Sequence, residues 1–571
     1  MVEGDEYRTA FFDKKPKLFH YQTNIAVLTN CEFDHPDFFY DLEAVKRTFT
    51  QFLNLIPDKG LIVAGIDNPN VASIFKEIKK PKISFGLGER AQYRAVKVKF
   101  SQKKVKFRVE KDGQFWSEFE LLLPGKINVL NALAAITVSD YLGIDGKKIQ
   151  RGIASFKGVK RRFEVISRKR GIVIIDDYAH HPTKISKTLA AAKTRYPQNK
   201  IYCVFEPHTY SRTKALLSDY GRAFRGADQV VVAKLMPARE ADQKASVSSK
   251  EVVRAIKKYN KNVKLISTSS EILVYLISRI KKGDVVIIMS VSGLNNLARE
   301  LALWQDLDSS SVRLNEQLAK YSSFKIGGPA DLFLVCKSNQ GFKRAVKAAK
   351  KLEVPYFILG GGSNLLVSDK GFRGLVIKNQ ARQVRFTQEL VEVDSGFLMN
   401  QLVKKTIDKS LAGLEDFFGL PGTVGGAISG NAHFQVKNIK SVVSKVKKID
   451  NVIFSVVFKL KPANKKELWQ KAKEAAVYRK TTQPLNYPSA GCIFKNPDSQ
   501  PAGYLIEQCG LKGNKIGRAM ISSEHANFIV NTGGATFQDV LRLIKLCQKK
   551  VKEKFGVKLE EEIIKVGDFD E

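Results

Sequence analysis

The stretch LGGGSNLLVSD, residues 359–369, follows an apolar run that predicts a β-strand. Three consecutive glycines let the backbone adopt positive φ angles and turn several N–H groups toward one oxyanion. Such a loop can hold the pyrophosphate of a dinucleotide without bulky side chains. It fits neither the GxGxxG pattern nor a Walker A motif, so the common Rossmann and P-loop patterns are excluded here. A triple glycine by itself is equally compatible with a tight turn.

Two further glycine-rich segments favour a binding site over a turn. Residues 413–432, GLEDFFGLPGTVGGAISGNA, are too apolar for a linker and too rich in glycine for the interior of a helix. Residues 320–335, KYSSFKIGGPADLFLV, place a Gly-Gly-Pro turn before an apolar strand. Two backbone surfaces of this kind can enclose one extended ligand.

These segments, together with YPSAGCIFKNP at 487–497 and AGYLIEQCGLKGNKIGRAMISSEHANFIVN at 502–531, resemble the UDP-N-acetylenolpyruvoylglucosamine reductase family. They occur in the family's order across the C-terminal half. The resemblance implies an FAD-binding domain of the PCMH type at residues 316–465 and a small α/β substrate domain at residues 466–571. It also implies that NADPH reduces a bound FAD, whose flavin N5 passes hydride to the enolpyruvyl double bond of a UDP-sugar.

The resemblance assigns cofactor and substrate contacts to individual positions. The residues expected at the FAD are Lys325, Gly327, Gly360, Gly361, Gly362, Ser363, Asn364, Pro421, Gly422, Thr423, Gly425, Gly426 and Ala427. Three residues are expected at the uridine diphosphate moiety, because cationic and amide groups suit phosphate and uracil: Tyr487, Lys495 and Asn496.

A cysteine stands where the family usually carries its proton-donating serine. The resemblance assigns this role to Cys492, and a thiol, being a stronger acid than a hydroxyl, can still protonate an enolate. The alternative is that Cys492 is a small buried apolar residue. The family's C-terminal glutamate corresponds to Glu562, which would protonate or hold the intermediate. An exposed acidic run is the alternative there, although strand alternation would put Glu560 and Glu562 on one face.

One family element is missing. Members carry an arginine-bearing excursion between two strands that here read SVVSKVKKID and VIFSVVFKLKP, and that arginine polarises the substrate carboxylate. In this chain the strands meet at Asp450 and Asn451, which predicts a tight hairpin. Removing a preorganised cation from a developing enolate costs roughly 3 kcal/mol or more. We hypothesise that Arg479 or a nearby lysine takes its place.

The N-terminal half alternates apolar strands with helical segments. Residues 23–30 and 60–66 predict two strands of a parallel sheet, joined by a helix over 41–55. A later series of strands, GIVIIDDY, IYCVFEPH, ADQVVVAKL and GDVVIIMSV, predicts a doubly wound α/β domain that ends near residue 304. A polar, serine-rich linker at residues 305–315 marks the main boundary.

Two polar clusters follow strands of this later series. DDYAHHPTKI, residues 176–185, gathers two carboxylates, a tyrosine and paired histidines, which favours an active site over a metal-free turn. PHTYSRT, residues 207–213, follows the next strand with His208 and Arg212. We expect both loops at the carboxyl ends of neighbouring strands, where open α/β sheets bind ligands.

With VEGDEYRTAFFD, TNCEFDH, LPGKINVLNALAA, FKGVKRRFEV and MPARE, these loops resemble the ATP-dependent muramyl ligases, particularly the UDP-N-acetylmuramate–L-alanine ligases and the murein peptide ligases. The resemblance implies a central ligase domain at residues 1–155 and a Rossmann-like C-terminal ligase domain at residues 156–304. It further implies ATP contacts at Asn131, Arg162 and Asp177, and a magnesium site at Glu3 and His35.

The ligase resemblance is incomplete. Neither Gly-Lys pair, at residues 125–126 and 146–147, is followed by Ser or Thr, so there is no Walker A motif, and the family's UDP-binding domain is not represented. Ile127 and Lys184 replace a motif histidine and glutamate, and SVSG at 290–293 replaces a GAGD-like loop. Without a phosphate cradle the transition-state charge is not neutralised, so we expect no autonomous ligase activity. An upstream companion chain or a different start codon would restore it.

The composition of the chain limits its number of domains, its partners and its compartment. A chain of 571 residues with 44% hydrophobic and 27% charged residues predicts several folded domains. The formal charge of +38 is carried largely by lysines spread along the chain, which favours a solvated basic surface over a specific nucleic-acid site. Six scattered cysteines suit a reducing compartment, and no apolar run is long enough to span a membrane, so we expect a cytoplasmic protein.

Three functions remain open on the sequence. The first is an FAD- and NADPH-dependent reductase acting on a UDP-sugar, attached to a degenerate ligase that serves as a scaffold or binds other peptidoglycan enzymes. The second is an ATP- and magnesium-dependent ligase completed by an upstream fragment. The third is a non-catalytic protein that retains nucleotide pockets.

Overall fold

The computed structural model describes residues 1–10, 12–13, 15–294, 296–307, 311–435, 437–498 and 500–569. The chain divides into two compact units, Met1–Ala302 and Leu303–Glu571. No helix within the described ranges is both long and apolar enough to cross a bilayer. The six cysteines all lie in described sequence and are free thiols.

The first sheet of the N-terminal unit is mixed. Its elements are β1 (Ile25–Leu28), β2 (Leu61–Gly65), β3 (Lys82–Gly86), β4 (Tyr93–Phe100), β5 (Val105–Lys111) and β6 (Gln114–Leu121), with helices α1 (Leu42–Asn54), α2 (Pro69–Glu77), α3 (Lys126–Tyr141) and α4 (Gly146–Ser155). Strands β1 to β4 are parallel, and β5 and β6 extend the sheet antiparallel. The predicted parallel strands joined by a helix are confirmed. Asp41 begins α1 by accepting the N–H of Ala44.

The second sheet is doubly wound. Its elements are β7 (Glu164–Ser167), β8 (Val173–Asp177), β9 (Ile201–Phe205), β10 (Gln229–Val232), β11 (Val263–Leu265) and β12 (Val285–Met289), with helices α5 (Pro182–Arg195), α6 (Tyr210–Ala215), α7 (Leu217–Ala223), α8 (Ser249–Lys257), α9 (Ser269–Arg279) and α10 (Leu297–Asp306). The strand order is β11-β10-β9-β12-β8-β7, and only β7 runs antiparallel to its neighbour. The predicted α/β architecture of this region is confirmed.

One expectation about this sheet is wrong. The two polar loops follow β8 and β9, and these strands are not neighbours, because β12 lies between them. Chain order cannot reveal this, since the last long strand of the series returns to the centre of the sheet. The insertion of β12 nevertheless leaves both loops at the same carboxyl edge, where the strand order reverses and ligands bind in open α/β sheets.

The C-terminal unit begins with two four-stranded sheets. Its first elements are β13 (Val312–Gln317), β14 (Pro329–Cys336), β15 (Tyr356–Leu359), β16 (Leu365–Val367), β17 (Phe372–Asn379), β18 (Val384–Thr387), β19 (Leu390–Asp394), β20 (Leu411–Ala412), β21 (His433–Phe434), β22 (Lys437–Asn438), β23 (Val443–Ile449), β24 (Val452–Lys459) and β25 (Lys461–Pro462), with α11 (Asn339–Lys351), α12 (Met399–Asp408), α13 (Val424–Ser429) and α14 (Lys465–Thr482). The sheets have the orders β13-β14-β17-β15 and β18-β19-β24-β23.

The remaining elements form a third sheet with two helices. They are β26 (Ser489–Cys492), β27 (Lys515–Ile516), β28 (Ala519–Ile521), β29 (Phe528–Asn531), β30 (Ile564–Val566), α15 (Ala502–Gln508) and α16 (Phe537–Phe555). The sheet order is β26-β29-β28-β27, whereas β30 returns to pair in parallel with β16. Phe324 and Leu366 share one buried core with Ile493 and Cys547. The segments predicted as separate domains at 316–465 and 466–571 are therefore fixed to each other by a shared core and a shared strand pair.

The predicted linker at residues 305–315 is shorter than expected. Helix α10 continues to Asp306 and β13 begins at Val312, while residues 308–310 lie outside the described residues. The serine-rich composition favoured a linker, but residues VRLNEQ form β13, in which half-buried and exposed side chains alternate. By contrast, the tight hairpin at Asp450 is confirmed, because Ile449 pairs with Val452 across a two-residue turn.

Helix α16 begins with a reciprocal cap. Thr536 Oγ1 accepts the N–H of Asp539 at 3.1 Å, and the Asp539 carboxylate accepts the N–H of Thr536 at 3.1 Å. We expect Thr536→Ala to lower the free energy of unfolding of the C-terminal unit by about 1 kcal/mol. Urea denaturation measures the loss, and Thr536→Ser, which retains the hydroxyl, is the matched control. An unchanged midpoint for Thr536→Ala would contradict the cap.

Candidate active site

Two glycine-rich bends lie in direct backbone contact. The first bend, residues 360–364, follows β15, and the second bend, residues 421–426, leads into α13. A Cβ atom on Gly361 would overlap the Cα of Gly422, and one on Gly360 would lie 2.6 Å from Thr423 Oγ1. Real Cβ atoms do not approach other atoms so closely, so this contact requires glycine. The two backbone surfaces that the sequence predicts are adjacent.

A third segment packs against the first bend. Gly362 has a φ of +74°, and a Cβ there would overlap the carbonyl oxygen of Tyr321. The N–H of Ser323 donates to the carbonyl of Gly362 at 3.0 Å. Gly327 has a φ of +137° beside Val367 in β16. Residues 321–323 therefore hold the first bend in place, and the Gly-Gly-Pro turn packs against the strand that follows that bend.

Side chains also tie the two bends together. Ser363 Oγ donates to the carbonyl of Pro421 at 3.5 Å, and Thr423 Oγ1 accepts the N–H of Gly426 at 3.3 Å. Ala427 follows in α13 as a buried residue. These residues were expected at the cofactor, and the structure brings them to one place.

The backbone N–H groups at this place are largely unpaired. In the described part of the chain, no N–H of residues 360–364 donates a hydrogen bond, and those of Gly422 and Thr423 donate none either. The N–H groups of Val424 and Gly425 instead donate to carbonyls of the same unit, at 2.9 and 2.8 Å. Unpaired amides need an external acceptor, and several together suit an oxyanion. The predicted phosphate loop thus has the donors that it requires.

Asn431, five residues after the second bend, has an unpaired acceptor. Its side-chain oxygen is buried and has no hydrogen-bond partner among the described residues, and its φ is +47°. The isoalloxazine ring and ribityl chain of a flavin carry N–H and O–H donors that such an oxygen can accept. The free amides and this oxygen together fit an FAD.

Lys325 lines a small cavity of the C-terminal unit. The cavity has a volume of about 340 Å³ and is also lined by Tyr487, Pro488, Asn531, Thr532, Gly533 and Gly534. The sequence assigns Lys325 to the cofactor and Tyr487 to the substrate, and the structure places the two side chains in one cavity. A lysine and a phenol there suit an anionic, hydrogen-bonding ligand.

Cys492 and Glu562 are linked to the first bend. The N–H of Glu562 donates to the carbonyl of Ile493 at 2.8 Å, and Asn364 Nδ2 donates to the carbonyl of Glu562 at 3.0 Å. Burial, and then the Glu562 carboxylate, raises the pKa of the Cys492 thiol to about 12. Burial also raises the pKa of Glu562, against the positive charges of His433 and Lys495. A protonated thiol therefore stands beside a carboxyl group at the cofactor loop.

The other expected substrate residues lie near the surface. Lys495 Nζ is 3.2 Å from Glu560 Oε2, and both side chains are exposed. Asn496 Oδ1 accepts the N–H of Ala502 at 3.0 Å and so helps to begin α15. Residues 560–562 form no strand, apart from one bridge between Glu561 and Phe494, so the strand alternation predicted for them is wrong. Loop geometry, not pleating, places Glu562 by the thiol.

Arg479 does not replace the missing family arginine. Its side chain is buried and donates to the carbonyls of Phe418 at 2.6 Å and Asp416 at 3.1 Å. The guanidinium carbon also lies 4.4 Å from the centre of the Phe434 ring. The guanidinium group therefore binds backbone carbonyls of the segment that precedes the second bend. Arg479 is a support for that bend.

In the N-terminal unit, Arg212 gathers the polar loops. Its Nε lies 2.7 Å from Asp34 Oδ1, and its two Nη atoms lie 3.4 Å from His208 Nδ1 and His35 Nδ1. Burial opposes ionisation of Asp34, but Arg212 lowers its pKa well below the usual range. Burial and Arg212 lower the pKa of His208 to about 4 and that of His180 well below its usual value. The cluster is a buried ion pair among neutral imidazoles at pH 7.

One expected ligase contact, Asp177, is hydrogen-bonded within the protein. Both carboxylate oxygens of Asp177 accept backbone N–H groups, from Phe163 at 2.9 Å and Ala179 at 2.8 Å. Glu206 accepts the hydroxyl of Ser290 at 2.9 Å and so fastens the SVSG loop. These bonds shape the loops after β8 and β12 and leave Asp177 little capacity for a nucleotide.

The remaining ligase residues are dispersed. Asn131 is exposed on α3, and exposed Arg162 lies 5.0 Å from the ring of Tyr178. Glu3 is exposed, and His35 Nε2 lies 3.7 Å from Glu6 Oε1. Within the described ranges no group of three or more His, Cys, Asp or Glu side chains is arranged to hold a metal ion. The magnesium site at Glu3 and His35 stays a prediction.

The sequence did not single out His433 or Asn431. Both follow the second bend, and neither belongs to a motif with known spacing. Their relevance comes from Glu562 and from an unsatisfied oxygen, which only the folded chain shows. An asparagine next to a glycine-rich bend was the one local signal, because asparagine tolerates positive φ.

Models of four families match the chain in order. The Mur ligase middle domain matches residues 13–139 and the Mur ligase glutamate ligase domain residues 161–291. The FAD binding domain matches residues 330–451, and the C-terminal domain of UDP-N-acetylenolpyruvoylglucosamine reductase matches residues 483–566. The matches fall in the two halves that the sequence motifs separate.

Individual relatives divide in the same way. The chain is 38% identical over 295 residues to the UDP-N-acetylmuramate–L-alanine ligase of Caldanaerobacter subterraneus, covering 52% of this chain and 62% of the relative. It is 39% identical over 289 residues to the UDP-N-acetylenolpyruvoylglucosamine reductase of the same organism, covering 46% of this chain and 96% of the relative. A crystal structure of the Thermus caldophilus reductase matches at 34% identity and a TM-score of 0.39, covering 45% of this chain and 99% of that one. The chain thus spans about three fifths of the ligase relatives that it matches.

Fold and site place the C-terminal half in the class of FAD-binding proteins, since free amides from two glycine bends and an FAD-binding-domain match coincide. More specifically, the C-terminal half of this chain belongs to the UDP-N-acetylenolpyruvoylglucosamine reductase family. The N-terminal half consists of Mur ligase middle and C-terminal domains.

The contact between the bends gives a sharp test. We expect Gly361→Ala to abolish retention of FAD, because the new Cβ forces the two backbones apart. Gly152→Ala in α4, where a Cβ meets nothing within 4 Å, is the control. The flavin content of each purified protein, measured by its visible spectrum, decides the outcome. Normal flavin content in Gly361→Ala would disprove the role of the contact.

Proposed function

We propose that the C-terminal half reduces UDP-N-acetylglucosamine enolpyruvate to UDP-N-acetylmuramate in peptidoglycan synthesis, with NADPH as reductant and FAD as cofactor. One observation carries the proposal: the unpaired amides of two contacting glycine bends lie at the loop that holds Cys492 and Glu562. The relatives that cover this half almost end to end carry the same activity in their names. We place the reaction in the cytoplasm, where NADPH and nucleotide sugars are available.

The chain's own residues bind the cofactor and position the substrate. A bound FAD would supply the hydride chemistry of the reaction, carrying the reducing equivalents of NADPH to one carbon of the substrate double bond. The amides of residues 360–364 hold the pyrophosphate, with Gly422 and Thr423 closing the other side. Asn431 accepts a donor from the flavin. Close backbone contact between the two bends keeps these donors aligned.

Cys492 donates the proton that balances the hydride. Hydride addition to one carbon leaves negative charge on the adjacent, carboxylate-bearing carbon, and the thiol proton moves to it. The raised pKa of about 12 keeps the thiol protonated at neutral pH, so the donor carries its proton before each turnover. The thiolate is then reprotonated from solvent. Sulfur in place of oxygen is compatible with this role, since an enolate is the stronger base.

Glu562 orients the reacting end of the substrate. Its backbone is fixed between Ile493 and Asn364, which holds the residue next to the strand end that carries Cys492. Its pKa is raised by burial, and in its protonated state it can donate a hydrogen bond to the substrate carboxylate. Tyr487 and Lys325, which share a cavity, bind the uridine diphosphate end, with Lys495 and Asn496 at its edge.

For the N-terminal half we propose a scaffold without ATP hydrolysis of its own, because the 571 residues contain no Walker A motif and Asp177 is bonded internally. A second candidate is an ATP- and magnesium-dependent ligase completed by a separate chain. The cluster around Arg212 at the carboxyl edge of the sheet favours it. ATP hydrolysis that appears only with a separately expressed Walker A fragment would support this candidate.

Anaerobic titration tests the reductase directly. NADPH should bleach the visible absorption of the FAD-loaded full chain, and UDP-N-acetylglucosamine enolpyruvate should restore it. UDP-N-acetylglucosamine, which has no double bond to reduce, should not. Bleaching that the enolpyruvate cannot reverse would contradict the proposed reaction.

The proton donor is tested by two substitutions. We expect Cys492→Ala to slow reoxidation by the enolpyruvate at least about 100-fold, and Cys492→Ser to slow it by less than about tenfold, because the hydroxyl keeps an exchangeable proton. Reduction by NADPH should be unchanged in both. Since the thiol stays protonated below about pH 12, the wild-type rate should not fall through this group as pH rises toward 9. If Cys492→Ala reoxidises normally, the residue only packs.

A further inference from the structure

One lysine of the C-terminal unit binds the first bend. Lys378 is the last residue but one of β17, and in the parallel pairing of β15 with β17 it stands opposite Leu359. Gly360 follows Leu359 directly, and Lys378 Nζ donates to the carbonyl of Gly360. The cationic side chain therefore binds the peptide group with which the first bend begins.

The ammonium group of Lys378 has no ion-pair partner among the residues that the structure describes. Besides the Gly360 carbonyl, it lies 6.0 Å from the centre of the Tyr321 ring. Burial, and then the positive charge of Arg382, lowers the pKa of Lys378. A half-buried cation without an anion is unfavourable, so a bound anion would stabilise the charge that the protein keeps here.

The peptide groups of the two bends share one pattern. In a trans peptide the C=O and the following N–H point in opposite directions, so a donor that binds the C=O leaves the N–H aimed the other way. Four carbonyls of the bends accept such donors: that of Gly360 from Lys378 Nζ, that of Gly362 from the N–H of Ser323 at 3.0 Å, that of Pro421 from Ser363 Oγ at 3.5 Å, and that of Gly422 from the N–H of Met399 at 3.1 Å.

The amides that follow these carbonyls are the free donors of the bends. They belong to Gly361, Ser363, Gly422 and Thr423, and within the described ranges none of them donates a hydrogen bond. The bonded carbonyls therefore fix the direction in which four free N–H groups point. Each group that binds a carbonyl from behind helps to aim one donor toward a ligand.

Lys378 is the only charged donor among these four. The other three are neutral, and two of them are backbone N–H groups. A hydrogen bond from an ammonium group is stronger than a neutral one, and it polarises the peptide so that the N–H of Gly361 becomes a better donor. The same positive charge attracts an anion that this N–H holds. Lys378 can therefore act on a ligand through Gly361.

We propose that Lys378 is a positioning residue for FAD: it orients the peptide between Gly360 and Gly361 and supplies positive charge behind the site of the pyrophosphate. The inference deepens the proposed function and rests on it. FAD carries its negative charge on the pyrophosphate, and this charge compensates a cation that the protein's own residues leave without an anion. Charge then contributes to FAD binding together with the free amides.

Cofactor binding tests this role apart from catalysis. In the full chain, stripped of flavin and titrated with FAD, we expect Lys378→Met to weaken binding roughly tenfold or more, measured by the change in flavin fluorescence. Lys378→Arg, which keeps the charge and the donor, should bind FAD within about threefold of the wild type. Lys337→Met, at an exposed lysine just after β14, is the matched control and should bind FAD as the wild type does.

Thermal unfolding without FAD distinguishes positioning from structural support. Replacing a half-buried ammonium group by the apolar side chain of methionine removes an uncompensated charge. Lys378→Met should therefore unfold at the wild-type temperature or slightly above it when FAD is absent, whereas loss of a structural lysine would lower that temperature. A fixed excess of FAD should then raise the unfolding temperature of the wild type more than that of Lys378→Met, because stabilisation by a ligand follows its affinity.

Three results would overturn the inference. They are equal FAD affinity in Lys378→Met and the wild type, a loss of affinity in Lys378→Arg as large as in Lys378→Met, and a lowered unfolding temperature of Lys378→Met without FAD. Failure of the proposed function looks different. A wild type that binds FAD with the expected dependence on Lys378, but whose reduced flavin the enolpyruvate never reoxidises, would refute the reaction and leave the role of Lys378 intact. A wild type that binds no FAD would contradict both.

Discussion

The close approach of two glycine bends is the constraint on which the C-terminal half depends. Gly361 and Gly422 meet backbone to backbone, at a separation that no Cβ permits. This contact leaves the amides of residues 360–364 without internal acceptors, a state that is unfavourable unless a ligand accepts from them. Residues 321–323 support the first bend, and buried Arg479 donates to carbonyls just before the second bend. The free donors here belong to the main chain, and Asn431 adds a side-chain acceptor.

The chemistry depends on how that loop is joined to the end of the chain. Asn364 donates to the backbone of Glu562, and β30 returns to pair with β16, so the cofactor loop and the reacting groups form one assembly. Burial then sets the protonation of the pair, because it keeps the Cys492 thiol neutral and raises the pKa of Glu562. Cys492, which we propose as the proton donor, therefore keeps its proton at neutral pH. Its acidity is tuned by desolvation rather than by a neighbouring base.

The two halves use their polar groups differently. In the N-terminal unit, Arg212 is neutralised by Asp34, and both oxygens of Asp177 bind backbone amides. Polar loops that resemble a ligase site thus contribute to the shape of the unit. At the cofactor bends the donors stay unpaired, and Asn431 adds an unpaired acceptor. Unsatisfied polar groups mark a site kept for a ligand, whereas satisfied ones mark a site adapted to hold the fold.

Local rules predicted a large part of this structure. Glycine spacing identified both bends, period-two and apolar runs identified the long strands, and Asp450-Asn451 identified the hairpin. Long-range pairing was beyond such rules. The sequence could not show β12 between β8 and β9, the return of β30 to β16, or the burial of Arg479 against carbonyls far away in the chain. The unpaired side-chain oxygen of Asn431 was missed for the same reason, since only the folded chain shows its burial.

Hydrogen–deuterium exchange of the full chain, with and without saturating FAD, tests the central claim most directly. The amides of residues 360–364, Gly422 and Thr423 should exchange rapidly in the free protein and become protected when FAD binds, while those in the middle of α16 stay unchanged. Exchange at both bends that is equally slow, or equally fast, in the two states would contradict a cofactor site built from unpaired main-chain donors.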